Sequence, residues 1–146
     1  MAYICAMKVI FLDIDGVLNT RKTVERWRGL IGIDATLARR FTQLQQATGA
    51  SVVLSSTWRL ERYWKAIMRK NGVVGVIDRT PDLPGRSRGE EIEAWLAANP
   101  EVEVYAILDD QSDMLPHQPH FKTSFFRGGL TEEIVQRVQL YLHEKR

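Results

Sequence analysis

With 146 residues, 45% of them hydrophobic and 26% charged, the chain has the composition of an ordinary soluble protein and the length for one well-cored domain. No apolar stretch approaches the length of a membrane span, and the run Met1–Met7 is short, with no basic residue before it. It makes a poor signal peptide, so a cytoplasmic location is expected; Met7 is a candidate for an alternative start. The net charge is only +2, and the single cysteine, Cys5, excludes an internal disulfide.

In chain order, Lys8–Leu12 reads as a buried strand that stops at two carboxylates one residue apart, Asp13 and Asp15, followed by Gly16. Asp and Gly also occur in plain turns for conformational reasons. Ionised carboxylates beside a buried strand are nevertheless costly unless they are paired or bind a cation. The pattern therefore points to a metal site in which one carboxylate acts as nucleophile and ligand and the other as proton donor. A basic loop follows, Asn19 to Gly32, holding Arg21, Lys22, Arg26, Trp27 and Arg28 against Glu25 alone.

Asp34 then caps a helix with Leu37, Phe41, Leu44 and Thr48 at helical spacing and Gly49 as its stop. Ser51–Leu54 is a second buried strand, ending at Ser55-Ser56-Thr57. A helix is expected from about Trp58 to Lys70, with Leu60, Tyr63, Trp64, Ile67 and Met68 inward and Asn71-Gly72 closing it. Val73–Ile77 is a short third strand. Ser87-Arg88-Gly89-Glu90 is a capping box opening a helix whose Ile92, Trp95 and Leu96 face inward. Val102–Leu108 is a fourth strand ending at Asp109-Asp110, Phe121–Phe125 a fifth, and Thr131–Glu144 a terminal helix. His117 and His120 lie in a Pro-rich turn without metal-ligand spacing and read as loop residues.

Alternating strands and helices imply βαβ units and a mainly parallel sheet, whose ligands bind beyond the carboxyl ends of the strands. The polar residues cluster at those ends. Charge is uneven along the chain: residues 1–80 carry 13 Lys and Arg against 6 Asp and Glu, residues 81–146 carry 7 against 12. That balance is compatible with an anionic substrate near the first half.

The order of Phe11-Leu12-Asp13-Ile14-Asp15-Gly16-Val17, then Val52-Val53-Leu54-Ser55-Ser56-Thr57-Trp58-Arg59, then Ile107-Leu108-Asp109-Asp110 resembles the motifs of the haloacid dehalogenase (HAD) superfamily, mostly phosphatases. The style of these motifs is similar to HAD domains associated with RNA-repair proteins. The resemblance implies an α/β, Rossmann-like three-layer sandwich around a mainly parallel five-stranded sheet. It implies Asp13 as the nucleophile that becomes an aspartyl-phosphate, Asp15 as general acid and base, and Ser55, with Ser56 as neighbouring candidate, on the phosphoryl oxygens. Mg²⁺ would sit on Asp13, the backbone carbonyl of Asp15 and Asp109, with Asp110 or Asp113 completing the shell. Arg88 or Arg86 would neutralise the phosphoryl charge. At the first helical position Arg88 opposes the macrodipole at a cost of about 0.3–1 kcal/mol, which favours a use in binding phosphate there.

Family members often carry a large cap domain after the first or second motif. Here those gaps hold only a loop, and only one helix and one strand, so the chain reads as capless, with a site open to macromolecular ends. Trp58, Arg59, Arg26 and the other loop cations interleave aromatics with positive charge, as single-stranded nucleic-acid binders do. Such residues also pack against a sheet edge. The expected activity is a Mg²⁺-dependent phosphomonoester hydrolase acting on a phosphorylated substrate, among them nucleotides and nucleic-acid ends. The alternative is a non-catalytic phosphate- or nucleic-acid-binding module that keeps the fold.

Overall fold

The structure, a computed structural model, describes residues 7–144; Cys5 and the N-terminal run before Met7 lie outside the described residues. Its frame is a five-stranded, wholly parallel sheet. Strand β1 (Met7–Leu12) lies at the centre, flanked by β4 (Ser51–Leu54) and β6 (Val102–Asp109), with β5 (Val76–Arg79) and β7 (His120–Lys122) at the edges. Two-residue strands β2 (Arg26–Trp27) and β3 (Leu30–Ile31) form a small antiparallel hairpin after β1. The α/β architecture without a cap domain matches the expectation from sequence.

The central strands are apolar on both sides because helices cover both faces. Ile10 and Leu12 pack with α1 (Ala35–Thr48), α2 (Trp64–Lys70) and α4 (Glu132–Glu144) on one face. Val9, Phe11, Val53 and Ile107 meet Ile92 and Trp95 of α3 (Arg88–Ala98) on the other. Val9 through Leu12 are completely buried, each side chain contributing about 1.5–3 kcal/mol by leaving water. Asp34 caps α1 by accepting from the Thr36 and Leu37 amides, and Gly49 ends it at φ 69°. Ser87 and Glu90 form the capping box that opens α3.

Order along the sheet reverses at β1. The chain moves outward through β4 to β5, then returns by α3 to place β6 on the other side of β1. The carboxyl ends of β1, β4 and β6 consequently meet, and with them Asp13, Ser55 and Asp109. Backbone hydrogen bonds lock them together: the Asp13 amide donates to Leu108 O, and the Ser55 amide to Leu12 O, both at 3.0 Å.

Three expected elements differ. The helix from Trp58 is broken into a 3₁₀ turn (Thr57–Leu60) and α2, leaving Leu60 55% and Tyr63 63% exposed rather than inward. The cause is Arg59. Its side chain, not Leu60, turns into the interior, where it finds Glu91 and four backbone carbonyls, and that fixes the turn's phase. The third strand starts at Val76 instead of Val73, because Val73 is buried in the core below α2 and Gly75, at φ 78°, turns the chain before pairing begins. The fifth strand is His120–Lys122 rather than Phe121–Phe125, which frees Phe125 for the loop beyond.

Candidate active site

Asp13 leaves β1 with only 4% of its surface exposed, and Asp109 ends β6 with none. Carboxylate oxygens of Asp13, Asp109 and Asp110 all lie within 4.8 Å of one another. Arg88, at the start of α3, answers them. Its Nη1 stands 2.9 Å from Asp109 Oδ2 and 3.3 Å from Asp13 Oδ1. The Arg88 amide donates to Asp113 Oδ2 at 3.0 Å, so Asp113 fixes the helix start and stays outside the carboxylate group. Arg86 is exposed and paired with Glu90 one turn on. Of the two arginines it is Arg88 that faces the carboxylates.

Electrostatics here are strained in one direction. Burial, then the neighbouring Asp109 carboxylate, pushes the Asp13 carboxyl up to about 9, against the opposing pull of Arg88. Burial also raises Asp110, which shares a hydrogen bond with Asp13. Burial works against the Arg88 charge, but Asp13 and Asp109 outweigh it and hold that guanidinium more firmly protonated. With all three carboxylates ionised against one guanidinium, two negative charges stay uncompensated at a site where Asp13 and Asp109 are buried. A divalent cation with a preference for hard oxygen ligands fits this donor set.

Asp15, two residues on from Asp13, is exposed. Its Oδ1 accepts from Asn19 Nδ2 at 2.8 Å and its Oδ2 from the Trp58 indole nitrogen at 3.2 Å. Asn19 is fully buried and also accepts from the Gly16 amide and donates to Gly32 O, tying the turn after β1 to the base of the hairpin. Gly16 has φ 83°, and a Cβ there would overlap the Asp110 carboxylate, so only glycine lets Asp110 approach. Thr123, just past β7, donates to Gly16 O at 2.7 Å and holds the same turn from the opposite side.

Ser55 is completely buried, and its Oγ has no hydrogen-bond partner among the described residues. Ser56 Oγ accepts from the Trp58 amide and caps the 3₁₀ turn. One expected substrate contact is corrected. Arg59 is 3% exposed and bound to Glu91 at 3.1 Å and to backbone carbonyls, so it has no free donor face for a ligand. Arg26 is exposed, but its Nη1 donates to Thr23 O and Glu25 O and braces its own loop.

A cleft of about 480 Å³ opens on the exposed side of Asp15, walled by Trp27, Trp58, Phe125 and Ile31. Motif and periodicity do not single out Asn19, Thr123 or Phe125 as site residues. Asn19 does carry a local signal, since it stands four residues after Asp15 in a turn whose backbone needs a side-chain partner. Thr123 and Phe125 carry none and are placed by the sheet edge.

Family membership agrees with this geometry. The model of the family described as the HAD domain in Swiss Army Knife RNA repair proteins matches residues 9–135, and the chain belongs to that family. No curated protein and no solved structure matches it. Among the described residues no helix is long and apolar enough to cross a membrane.

Proposed function

Taking that membership as premise, we propose that the protein is a Mg²⁺-dependent phosphomonoester hydrolase with Asp13 as nucleophile. One observation carries the reading: a buried carboxylate, Asp13, set between two further carboxylates and an arginine, has a second carboxylate, Asp15, two residues on and facing solvent. Such a pair supports a reading as nucleophile and leaving-group acid. An Asp13 oxygen attacks phosphorus, and the bond from phosphorus to the leaving oxygen breaks. Asp15 gives that oxygen its proton, leaving an aspartyl-phosphate. Water then attacks phosphorus, Asp15 takes the water's proton, and phosphate departs with the Asp13 carboxylate restored.

Arg88 balances charge on Asp13 and on the phosphoryl oxygens, and the buried Ser55 hydroxyl, lacking a protein partner, offers those oxygens a hydrogen bond. Asp13, Asp109 and Asp110, with the Asp15 carbonyl, would hold Mg²⁺, which when bound supplies charge neutralisation at the phosphoryl group. The proposed substrates are nucleotides or terminal phosphates of nucleic acid, a choice supported by the family's occurrence in RNA repair proteins and by the aromatic cleft beside Asp15.

Purified protein is expected to hydrolyse p-nitrophenyl phosphate only with Mg²⁺, and Asp13→Asn to abolish turnover. Wild-type inactivity across a panel of phosphorylated nucleotides, metabolites and oligonucleotides would sink the reading.

A further inference from the structure

A second cleft, of about 320 Å³, adjoins the aromatic one and is not used by the chemistry above. Arg21, Lys22 and Arg127 line it together with Thr20, Phe125 and Phe126, and no acidic residue contributes to it. Phe125 is common to both clefts. Its carbonyl accepts from the Arg21 amide at 3.2 Å, so the loop after β1 and the loop after β7 are stitched together along this edge. Phe126 packs edge-on against Phe125, with ring centres 5.3 Å apart, and leaves 71% of its surface in solvent.

Several arginines of the fold are already paired. Arg28 pairs with Glu61, Arg40 with Glu132, Arg59 with Glu91 and Arg86 with Glu90. Among the described residues, the side chains of Arg21, Lys22 and Arg127 make no hydrogen bond and no ion pair. Three uncompensated cations around one concave surface raise its potential and favour an anion there. Exposed aromatic faces beside unpaired cations are the elements by which proteins hold a single strand, with bases stacked and phosphates neutralised.

From this we infer that the two clefts form one track for the end of a single-stranded polynucleotide. The terminal nucleoside stacks in the Trp27–Trp58–Phe125 cleft beside Asp15, and the next phosphodiester lies among Arg21, Lys22 and Arg127. The inference rests on the phosphatase reading for the fate of the terminal phosphate, but the cationic cleft itself is a binding claim. It makes the protein a strand-end enzyme rather than one for free nucleotides, which carry no phosphodiester to fill that cleft.

Two measurements test it. In turnover, 3′- and 5′-phosphorylated single-stranded octanucleotides are compared with the matching mononucleotides. For one end polarity kcat/KM is expected to be at least about tenfold higher on the octanucleotide, and the triple variant R21E/K22E/R127E loses most of that advantage while losing far less on the mononucleotide. In binding, the inert Asp13→Asn protein is titrated with fluorescein-labelled octanucleotide at several salt concentrations. A slope of log K against log salt shallower by about 0.7 in a triple alanine variant is expected, the value for the one phosphate that is no longer neutralised. Equal kcat/KM on mononucleotide and octanucleotide would overturn the inference, as would an unchanged salt slope or equal binding of duplex or polyglutamate. If the wild type turns nothing over but the binding slope behaves as stated, the phosphatase reading fails and the track stands.

Discussion

The indole N–H of Trp58 donates to Asp15 Oδ2 at 3.2 Å, joining the wall of the aromatic cleft to the proposed proton donor. Asn19 holds the other oxygen at 2.8 Å. The carboxylate is thus aimed by one group that also lines the aromatic cleft and one that does not.

That geometry gives Trp58 a positioning role. Asp15→Asn should lower kcat by about 10²–10⁴-fold on alkyl phosphates, whose leaving oxygen needs a proton. The loss should be much smaller on p-nitrophenyl phosphate, which leaves without one. Trp58→Phe should show the same leaving-group dependence on a smaller scale, about tenfold. A series of phosphate esters of graded leaving-group acidity reads both. A uniform loss across the series would remove the role.

The raised Asp13 carboxyl sets a pH dependence of stability. Its folded value, about 9, lies above the ordinary value of 3.8, so its favourable contribution is complete below about pH 4 and is lost as pH climbs toward 9. Metal-free protein should melt at falling temperature over that range. Asp13→Asn should flatten the trend and raise the Tm at pH 8 by about 3–8 °C, at roughly 2–4 °C or more per kcal/mol. Mg²⁺ should recover more stability at pH 8 than at pH 5, since it binds the ionised form. Calorimetry at three pH values, with and without Mg²⁺, checks all three points.

Gly16 tests the link between backbone and metal site. Gly16→Ala places a methyl against the Asp110 carboxylate at a positive φ. The fold should lose about 1–3 kcal/mol. Asp110 should be displaced, so titration calorimetry should find Mg²⁺ bound at least about tenfold more weakly. Wild-type affinity in this variant would show that Asp110 is not a ligand.

Arg59 and Glu91 form the buried ion pair beneath the 3₁₀ turn, with side chains 4% and 9% exposed. Removing either alone leaves an uncompensated charge, and Glu91→Ala should cost about 3–5 kcal/mol in urea unfolding. Because the Leu83 amide also donates to Glu91, the loop before α3 should loosen too, which hydrogen exchange there would report.

Much of this is legible in the sequence, for reasons that differ by residue. Asp13, Ser55 and Asp109 stand at the ends of apolar runs, and parallel strands require helical crossovers, so the sheet edge that gathers them follows from pattern alone. Asp34, Ser87 and Gly49 mark their helix ends by local chemistry. Arg59 does not show itself, because periodicity counts apolar residues and is blind to a charge that goes inside with a partner 32 residues away. Thr123 and Phe125 owe their positions to β7, an edge strand of three residues whose register no short motif encodes.

The lone hydroxyl of Ser55 carries a consequence for the resting protein. A buried hydroxyl without a protein partner leaves about 1–3 kcal/mol of hydrogen bonding to be made with a group from outside the chain. Any tetrahedral oxyanion that reaches that hydroxyl makes this bond, and part of its affinity comes from the relief of that buried donor. Inorganic phosphate, the product of the proposed reaction, would share in that relief.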